Sequence, residues 1–260
     1  MKIGYIQNAP LFGSREKNFE EVRDIVNNIT ADLLVLPELF ASGYTFTSKK
    51  EAAEMAETDH GRTAEFLMEL SEITNATIVG GFIEEDKGRI YNSLLIVSEG
   101  KVIDTYRKIH LFYKEQFWFS PGNKPLKIYD IKGVKVGVMI CFDWIFPELC
   151  RTLALKGAQV IAHPSNLVLP YCQGAMVTRC LENRIFAVTA NRIGNEKRGD
   201  DEFTFTGASQ ITAVDGRILA SAPVNEIHVS VVEIDEKQAD NKKINKYNDL
   251  LKDRRTDFYF

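Results

Sequence analysis

The sequence predicts an α/β protein in which helices cover the faces of β-sheets. Short runs rich in β-branched residues alternate with longer amphipathic segments along the chain. Both halves also repeat nearly the same order of predicted elements, β-α-β-α-β-β-β, and no stretch rich in Pro, Gly or Ser separates them. We therefore expect residues 1–260 to form a single domain whose last part, residues 241–260, is a polar tail.

Strands are predicted wherever apolar and β-branched residues are concentrated over a short run. These runs are residues 2–7, 32–36, 77–81, 93–97, 101–106, 134–141, 159–163, 186–190, 207–212 and 227–234. Two connections carry turn residues that favour hairpins, namely 98–100 with its Gly100, and Asp215-Gly216. The strands that flank these turns are expected to pair antiparallel.

Helices are predicted between the strands from the spacing of apolar residues. Phe19, Val22 and Val26 recur at helical spacing in the first segment, and the run 66–73 shows the same pattern in the second. A third helix is expected over 147–156 and a fourth over 173–183. Pro147 suits the first turn of its helix because the N–H it lacks would have no partner within the helix.

Composition limits the classes of function. The chain has 260 residues and a mass of 29.4 kDa, with 45% hydrophobic and 26% charged residues, as in ordinary globular proteins. Its net charge is −4 and no basic run is present, which argues against a nucleic-acid partner. The apolar stretches fall short of the roughly 20 residues that cross a membrane. No secretory signal pattern opens the chain, so a cytoplasmic location is expected.

A carboxylate follows the second predicted strand directly. The run 32–36 ends at Pro37, and Glu38 comes next, flanked by Leu39 and Phe40. Strand ends in α/β proteins collect functional groups, and a partly desolvated carboxylate is a good general base. The alternative is a glutamate that simply leaves the core for solvent.

A lysine and a second glutamate follow the strand 101–106. Lys108 could serve as a fixed positive charge for a developing oxyanion, and Glu115 lies seven residues further on, close enough to orient it. A solvated strand end is the alternative. His110 stands between apolar residues and is interpreted as a hydrogen-bonded structural residue rather than a base.

A cysteine stands where a strand gives way to a helix. Cys141 ends the run 134–141 and the next helix begins at Pro147, which is the outline of a nucleophile elbow. Helix N-terminal amides would favour a thiolate at this position. The other cysteines lie in or beside predicted helices and are expected to pack there: Cys150, Cys172 and Cys180. Without C-x-x-C pairs, neither a metal site nor a disulfide framework is expected.

Taken in order, these motifs resemble the nitrilase superfamily of carbon–nitrogen hydrolases. The matching segments are Pro37-Glu38, 106–112, 120–122, 137–143, 146–148, Arg151 with 154–158, His163-Pro164 and 182–184. The resemblance implies a four-layer αββα sandwich. It also implies that Glu38 is the general base, Lys108 the oxyanion stabiliser, Cys141 the nucleophile and Glu115 the second glutamate that organises the site. No metal or organic cofactor is implied. The resemblance implies association through helices near the cysteine and through C-terminal segments, so a homodimer or a higher even oligomer is expected, with the aromatic end 258–260 docking on a partner subunit or on the body of the chain.

The residues after the cysteine bear on the substrate. Nitrile-cleaving members of the superfamily typically carry Trp-Glu there, whereas this chain has Phe142-Asp143, which looks more like the amidase and carbamoylase branches. Phe142 is a candidate oxyanion donor through its N–H, and Trp144 and Asn166 are candidates for an apolar wall and a polar orienting group. We expect a hydrolase of small aliphatic amides or N-carbamoyl compounds. The alternatives are an aliphatic nitrilase with the same residues and a catalytically silent binding protein.

Overall fold

The computed structural model describes residues 1–259 and contains two six-stranded sheets and a separate two-stranded hairpin. The strands are β1 Lys2–Gln7, β2 Leu33–Val35, β3 Thr77–Asp86, β4 Arg89–Ser98, β5 Lys101–Arg107, β6 Tyr129–Ile131, β7 Val134–Val138, β8 Val160–Pro164, β9 Phe186–Ala190, β10 Asn195–Arg198, β11 Asp201–Thr204, β12 Gln210–Thr212, β13 Ile218–Ser221 and β14 His228–Glu233. The helices are α1 Arg15–Val26, α2 Lys49–Glu54, α3 Arg62–Thr74, α4 Glu115–Trp118, α5 Pro147–Leu155 and α6 Cys172–Asn183. Short 3₁₀ helices span Cys141–Ile145, Glu236–Ala239 and Thr256–Phe258.

The first sheet has the strand order β14-β1-β2-β3-β4-β5. Strands β1, β2 and β3 are parallel, and β4 and β5 continue the sheet as antiparallel hairpins. The last strand of the chain, β14, returns to pair antiparallel with β1. Because two antiparallel steps restore the original direction, β5 runs the same way as β2, and the carboxyl ends of both lie at one edge of the sheet.

The second sheet has the order β13-β12-β9-β8-β7-β6. Its centre is formed by the parallel strands β7, β8 and β9, joined through α5 and α6. Antiparallel strands flank the centre on both sides. The hairpin β10–β11 stands outside both sheets.

The alternation of buried side chains along the strands defines the layers. In β1, Ile3 and Tyr5 belong to the core between the sheets, whereas Ile6 belongs to the core beneath α1 and α3. In β2, Leu33 and Leu34 divide in the same way. The first sheet contacts the second through β1 with β9 and β3 with β8, and α6 covers the second sheet from outside. The layers are therefore helix, sheet, sheet, helix, and the predicted αββα sandwich is confirmed.

All ten predicted strands are present, but some predicted boundaries differ from the observed ones, including the strand end before Cys141. The strand predicted over 134–141 ends at Val138, and Cys141 opens a 3₁₀ turn instead. The helix predicted over 66–73 begins earlier, at Arg62, because Gly61 and the polar residues after it form its N-terminus. The sequence did not predict α2, α4, β6, β10, β11 or β13, all of them six residues or fewer.

Hydrogen bonds hold the beginning of the tail to the body. The Nζ of Lys242 donates to the carbonyl oxygens of Asn183 and Arg184, at 3.0 and 2.9 Å, and so caps the end of α6. Further along, Phe258 and Tyr259 are exposed. Phe260, the last residue of the predicted aromatic end, lies outside the described residues. Within residues 1–259, no helix combines the length and the apolar character needed to span a membrane.

Candidate active site

Three of the four predicted catalytic side chains meet where strands of the first sheet end. Glu38 follows β2, Lys108 follows β5, and Glu115 begins α4, which lies seven residues after Lys108. The Nζ of Lys108 lies 2.6 Å from Glu38 Oε1 and 2.8 Å from Glu115 Oε1. The sequence thus folds so that one ammonium group joins two carboxylates.

This group of charges is buried. The side chain of Lys108 is 0% exposed, as is that of Glu38, and Glu115 is 4% exposed. Burial alone would lower the pKa of Lys108, but the charges of Glu115 and Glu38 outweigh it and raise that pKa. Lys108 therefore stays positively charged, since charges are retained in a protein interior when they are paired and hydrogen-bonded.

An asparagine on β4 fixes the two carboxylates relative to each other. The Nδ2 of Asn92 donates to Glu38 Oε1 at 2.7 Å and to Glu115 Oε1 at 3.3 Å. Glu115 also accepts the N–H of Phe112 through Oε2, at 2.9 Å. The Oε2 of Glu38 is buried and has no partner among the described residues. Of the two carboxylates, Glu38 is therefore the one with an oxygen free to accept a proton.

The fourth residue, Cys141, lies on a strained turn after β7. Its φ is +42°, a left-handed conformation that costs a non-glycine residue about 1–2 kcal/mol. The carboxylate of Asp143 holds the turn, because Oδ2 accepts the N–H of Ile140 at 3.0 Å and the hydroxyl of Tyr106 at 2.7 Å. The expected structural role of His110 fits this arrangement: its Nδ1 lies 2.7 Å from Asp143 Oδ1.

A buried histidine holds the main chain of the cysteine. The Nε2 of His163 lies 2.9 Å from the carbonyl oxygen of Cys141, and since a carbonyl only accepts, Nε2 carries the proton. Nδ1 then accepts the hydroxyl of Thr189 at 3.1 Å. Burial lowers the pKa of His163 to about 4, so the ring is neutral near pH 7 and keeps this tautomer. His163 is a positioning residue for the nucleophile.

The protonation state of the Cys141 thiol differs from the one that helix amides alone would favour. Burial raises the pKa of Cys141 well above its usual value, and the charge of Glu38 adds to this effect, while Lys108 opposes it. The helix amides that were expected to favour a thiolate do not outweigh these effects. The neighbouring turn is only five residues long, so its dipole is weak against desolvation and two carboxylates. Cys141 is a thiol at neutral pH, and its proton must be removed during the reaction.

Two small pockets adjoin the predicted catalytic residues, one beside Cys141 and the other beside Glu115. The first has an empty volume of about 240 Å³ and is lined by Phe112, Cys141, Phe142, Trp144, Asn166, Leu167, Val168 and Leu169. All three residues predicted to bind substrate line it. The second, of about 250 Å³, is lined by Tyr44, Thr45, Phe46, Phe112, Tyr113, Lys114, Glu115, Trp118, Asp201 and Phe203. A wider cavity of about 860 Å³ at the start of α1 contains none of the catalytic side chains, so chemistry and not size identifies the site.

Comparison with known proteins decides the family. The family model described as carbon-nitrogen hydrolase matches residues 2–243. The chain belongs to the carbon–nitrogen hydrolase family. It is therefore an enzyme that acts on carbon–nitrogen bonds, as the resemblance to the nitrilase superfamily implied.

The relatives of this hydrolase carry different names. A protein named "Nitrilase" from Pyrococcus abyssi is 45% identical, over 100% of this chain and 99% of its own length. A protein named "(R)-stereoselective amidase" from a Pseudomonas species is 35% identical, over 98% and 92%. The crystal structure of a carbon–nitrogen hydrolase from Helicobacter pylori superposes with a TM-score of 0.90 at 25% identity, and covers 100% of this chain and 97% of that one.

Several residues that support the site of this hydrolase were not predicted to do so. Asn92 and the pair Tyr106 and Asp143 position the catalytic groups, and His163 holds Cys141. A signal existed for Asn92, because asparagine is disfavoured inside a strand and here interrupts an apolar run. Gly81 is a further case: a Cβ there would lie 2.4 Å from the main-chain nitrogen that follows Glu38, so only glycine lets the two segments approach.

The described part of this hydrolase offers no cluster for a metal ion. Within residues 1–259, no group of three His, Cys, Asp or Glu side chains is arranged so that it could hold one. The site residues are instead paired with each other, as Lys108 is with Glu38 and Glu115.

Proposed function

We propose that this enzyme hydrolyses the carbon–nitrogen bond of small aliphatic amides or N-carbamoyl compounds through a thioester on Cys141. The observation that carries the proposal is the buried Lys108 ammonium held between two carboxylates, one of which has a free oxygen. A fixed positive charge and a proton acceptor in one buried site are what attack by a neutral thiol on an amide requires.

In the first half of the reaction, the free oxygen of Glu38 takes the proton of the Cys141 thiol as the sulfur bonds to the amide carbon. The oxygen of that carbon becomes negatively charged and is stabilised by Lys108 and by the N–H of Phe142. As the second residue of its turn, Phe142 has an N–H without an acceptor inside the helix. Glu38 returns the proton to the nitrogen, the carbon–nitrogen bond breaks, and ammonia or an amine leaves.

In the second half, water hydrolyses the thioester. Glu38 takes a proton from the water molecule as the water oxygen bonds to the acyl carbon. Lys108 and the N–H of Phe142 stabilise the second oxyanion. The carbon–sulfur bond then breaks, and the sulfur recovers a proton from Glu38. The carboxylic acid departs, and the enzyme is restored with every proton accounted for.

Nitrile hydrolysis is a second candidate, because the relative from Pyrococcus abyssi is named "Nitrilase" and is 45% identical to this chain. The dipeptide Phe142-Asp143 favours the amide reaction. The carboxylate of Asp143 stabilises the turn, where it accepts hydrogen bonds from Ile140, Tyr106 and His110.

The experiment is a comparison of ammonia release from simple aliphatic amides, ω-amides, N-carbamoyl amines and amino acids, and aliphatic nitriles. The proposal expects the highest kcat/KM within the amide and carbamoyl groups, with nitriles at least tenfold lower. Turnover of nitriles alone would establish the second candidate, and turnover of none of them would contradict both.

We also propose that residues 1–260 act as one catalytic domain and that two copies associate. One core cluster joins strands of both sheets with α5 and α6, which supports a single domain. Leu155 and Leu181 on those helices are exposed, as are Phe258 and Tyr259 in the tail. Sedimentation equilibrium is expected to give an even multiple of 29.4 kDa. A mass that stays at the 29.4 kDa of a single chain up to a protein concentration of about 100 μM would contradict the association.

A further inference from the structure

Asn166 is a buried polar side chain beside Cys141 whose amide makes no hydrogen bond to residues 1–259. It is 2% exposed, and neither its Oδ1 nor its Nδ2 has a hydrogen-bond partner among the described residues. A buried amide without hydrogen bonds costs folding free energy, so nothing in the stability of the chain favours it there. The side chain lines the pocket that contains Cys141.

The main chain holds Asn166 in place on both sides. The N–H of Ser165 donates to Ala190 at 2.8 Å, and the N–H of Leu167 donates to the side chain of Asn191 at 2.8 Å. The backbone N–H of Asn166 is among the groups that lower the pKa of Cys141, against the larger effect of burial. The main chain that carries this amide is therefore held in place beside the pocket that contains Cys141, a preorganised arrangement that suits binding.

The two pockets separate the two halves of a substrate. The carbon that bonds to sulfur, with the acyl chain attached to it, belongs in the pocket that contains Cys141. The departing nitrogen belongs on the side of the carboxylates, and Glu115 lines the other pocket. Phe112 lines both. Asn166 consequently faces the acyl half and not the leaving group.

The acyl pocket is small and carries no charged side chain. Its lining consists of aromatic, aliphatic and thiol groups together with the one amide of Asn166. A carboxylate or ammonium on the acyl chain would lose its hydration there without gaining a counter-charge. An uncharged group that both donates and accepts would instead satisfy both polar atoms of Asn166.

We propose that Asn166 binds a second, uncharged carboxamide on the acyl chain, so that the preferred substrates are short diamides. Nδ2 donates to the oxygen of that distal carboxamide, and Oδ1 accepts one of its N–H groups. The scissile amide itself is served by Lys108 and Glu38. This inference rests on the proposed amide hydrolysis and narrows it to one substrate class.

Three substrates of equal size test the inference. Malonamide carries the second carboxamide, 3-methylbutanamide replaces it with an isopropyl group of the same number of heavy atoms, and malonamate replaces it with a carboxylate. For the native enzyme, kcat/KM for malonamide is expected to exceed that for 3-methylbutanamide at least tenfold, because a site built to bind a polar group discriminates against an analogue without it. Malonamate is expected to be the poorest substrate of the three.

Two variants assign the selectivity to Asn166. In Asn166→Leu and in Asn166→Ala, the ratio of malonamide to 3-methylbutanamide is expected to fall to about one or below. The temperature of unfolding of Asn166→Leu is expected to stay the same or rise, since an unpaired buried amide is removed. Val168→Ala is the matched control: it alters the same pocket without removing a polar group and should leave the ratio within about threefold.

The possible failures are distinguishable. Equal turnover of the two amides by the native enzyme, or a ratio that survives in both Asn166 variants, overturns the inference and leaves amide hydrolysis intact. A fall in unfolding temperature in both variants with an unchanged ratio would make Asn166 a structural residue. If neither amide is hydrolysed, this inference fails, and the proposed function fails as well only when the N-carbamoyl compounds are not hydrolysed either.

Discussion

The Cys141→Ala variant is expected to lose at least a thousandfold in kcat/KM for the best amide substrate while keeping its fold. The sulfur forms the covalent intermediate, and removal of one member of a catalytic unit typically costs about as much as removal of all of them. The side chain is small and lies on a polar turn held by Asp143 and His163, so those contacts persist without it. Ammonia release at saturating and limiting substrate measures the loss.

The matched control is Cys172→Ala. Cys172 is fully buried in α6 and lines neither of the two pockets beside the catalytic group. The Cys172→Ala substitution should lower the free energy of unfolding by about 1 kcal/mol and change kcat/KM by less than about threefold. If Cys141→Ala kept more than a thousandth of native activity, Cys141 would not be the nucleophile.

Alkylation separates the nucleophile from a cysteine that merely packs. Iodoacetamide has the size of a small amide substrate, and Cys141 adjoins a pocket, whereas Cys150 and Cys180 are at most 1% exposed. Mass spectrometry is expected to find the first adduct on Cys141. Because Cys141 rests as a thiol, Glu38→Gln should slow that reaction, since glutamine cannot accept the proton. Uniformly slow alkylation together with no turnover would favour a silent binding protein.

Much of the fold could be predicted from the sequence because its strands are strongly patterned. The central parallel strands are short apolar runs, and β2 and β8 are buried on both faces. The pairing of β14 with β1 could not be predicted, since these strands lie at opposite ends of the chain and no local pattern records a contact of that range. The short strand β6 and the hairpin β10–β11 were missed because tertiary contacts, and not propensity, hold them.

Glu38, Lys108 and Cys141 could be predicted because each lies within three residues of the end of a strand, where the fold collects functional groups. The protonation states of these residues could not be predicted from the sequence, because they depend on burial and on charges from distant parts of the chain. Glu38 and Lys108 are 70 residues apart in sequence and 2.6 Å apart in space. The raised pKa of the Cys141 thiol comes first from burial and then from the charge of Glu38, whereas the helix dipole considered alone favours a thiolate.

The Lys108→Met variant is expected to lose both activity and stability. Removal of a single oxyanion donor costs about 10²–10³-fold in kcat. Breaking a buried ion pair by removing one partner also destabilises a protein by about 3–5 kcal/mol, since it leaves uncompensated charge in the interior. Here Glu38 and Glu115 would be left together without their shared cation.

The control for this variant is Lys127→Met, which removes an ammonium group from an exposed pair. Lys127 lies 2.6 Å from Asp104 but is 52% exposed. Such surface pairs contribute about 0–1 kcal/mol, so stability and activity should change little. Equal effects of the two substitutions would contradict the special role of the buried lysine.

The stability of Lys108→Met should also depend on pH in a defined direction. Burial raises the pKa of Glu115 in the native protein, and Lys108 opposes that rise. Without Lys108 the pKa of Glu115 rises further, so the folded state holds a proton that the unfolded chain releases above its ordinary pKa of about 4.3. The stabilisation from that proton is complete below about pH 4 and is lost as the pH rises through the raised value. Urea unfolding is therefore expected to show a smaller deficit relative to the native enzyme at pH 5 than at pH 8. A deficit independent of pH would mean that Lys108 does not hold down the pKa of Glu115.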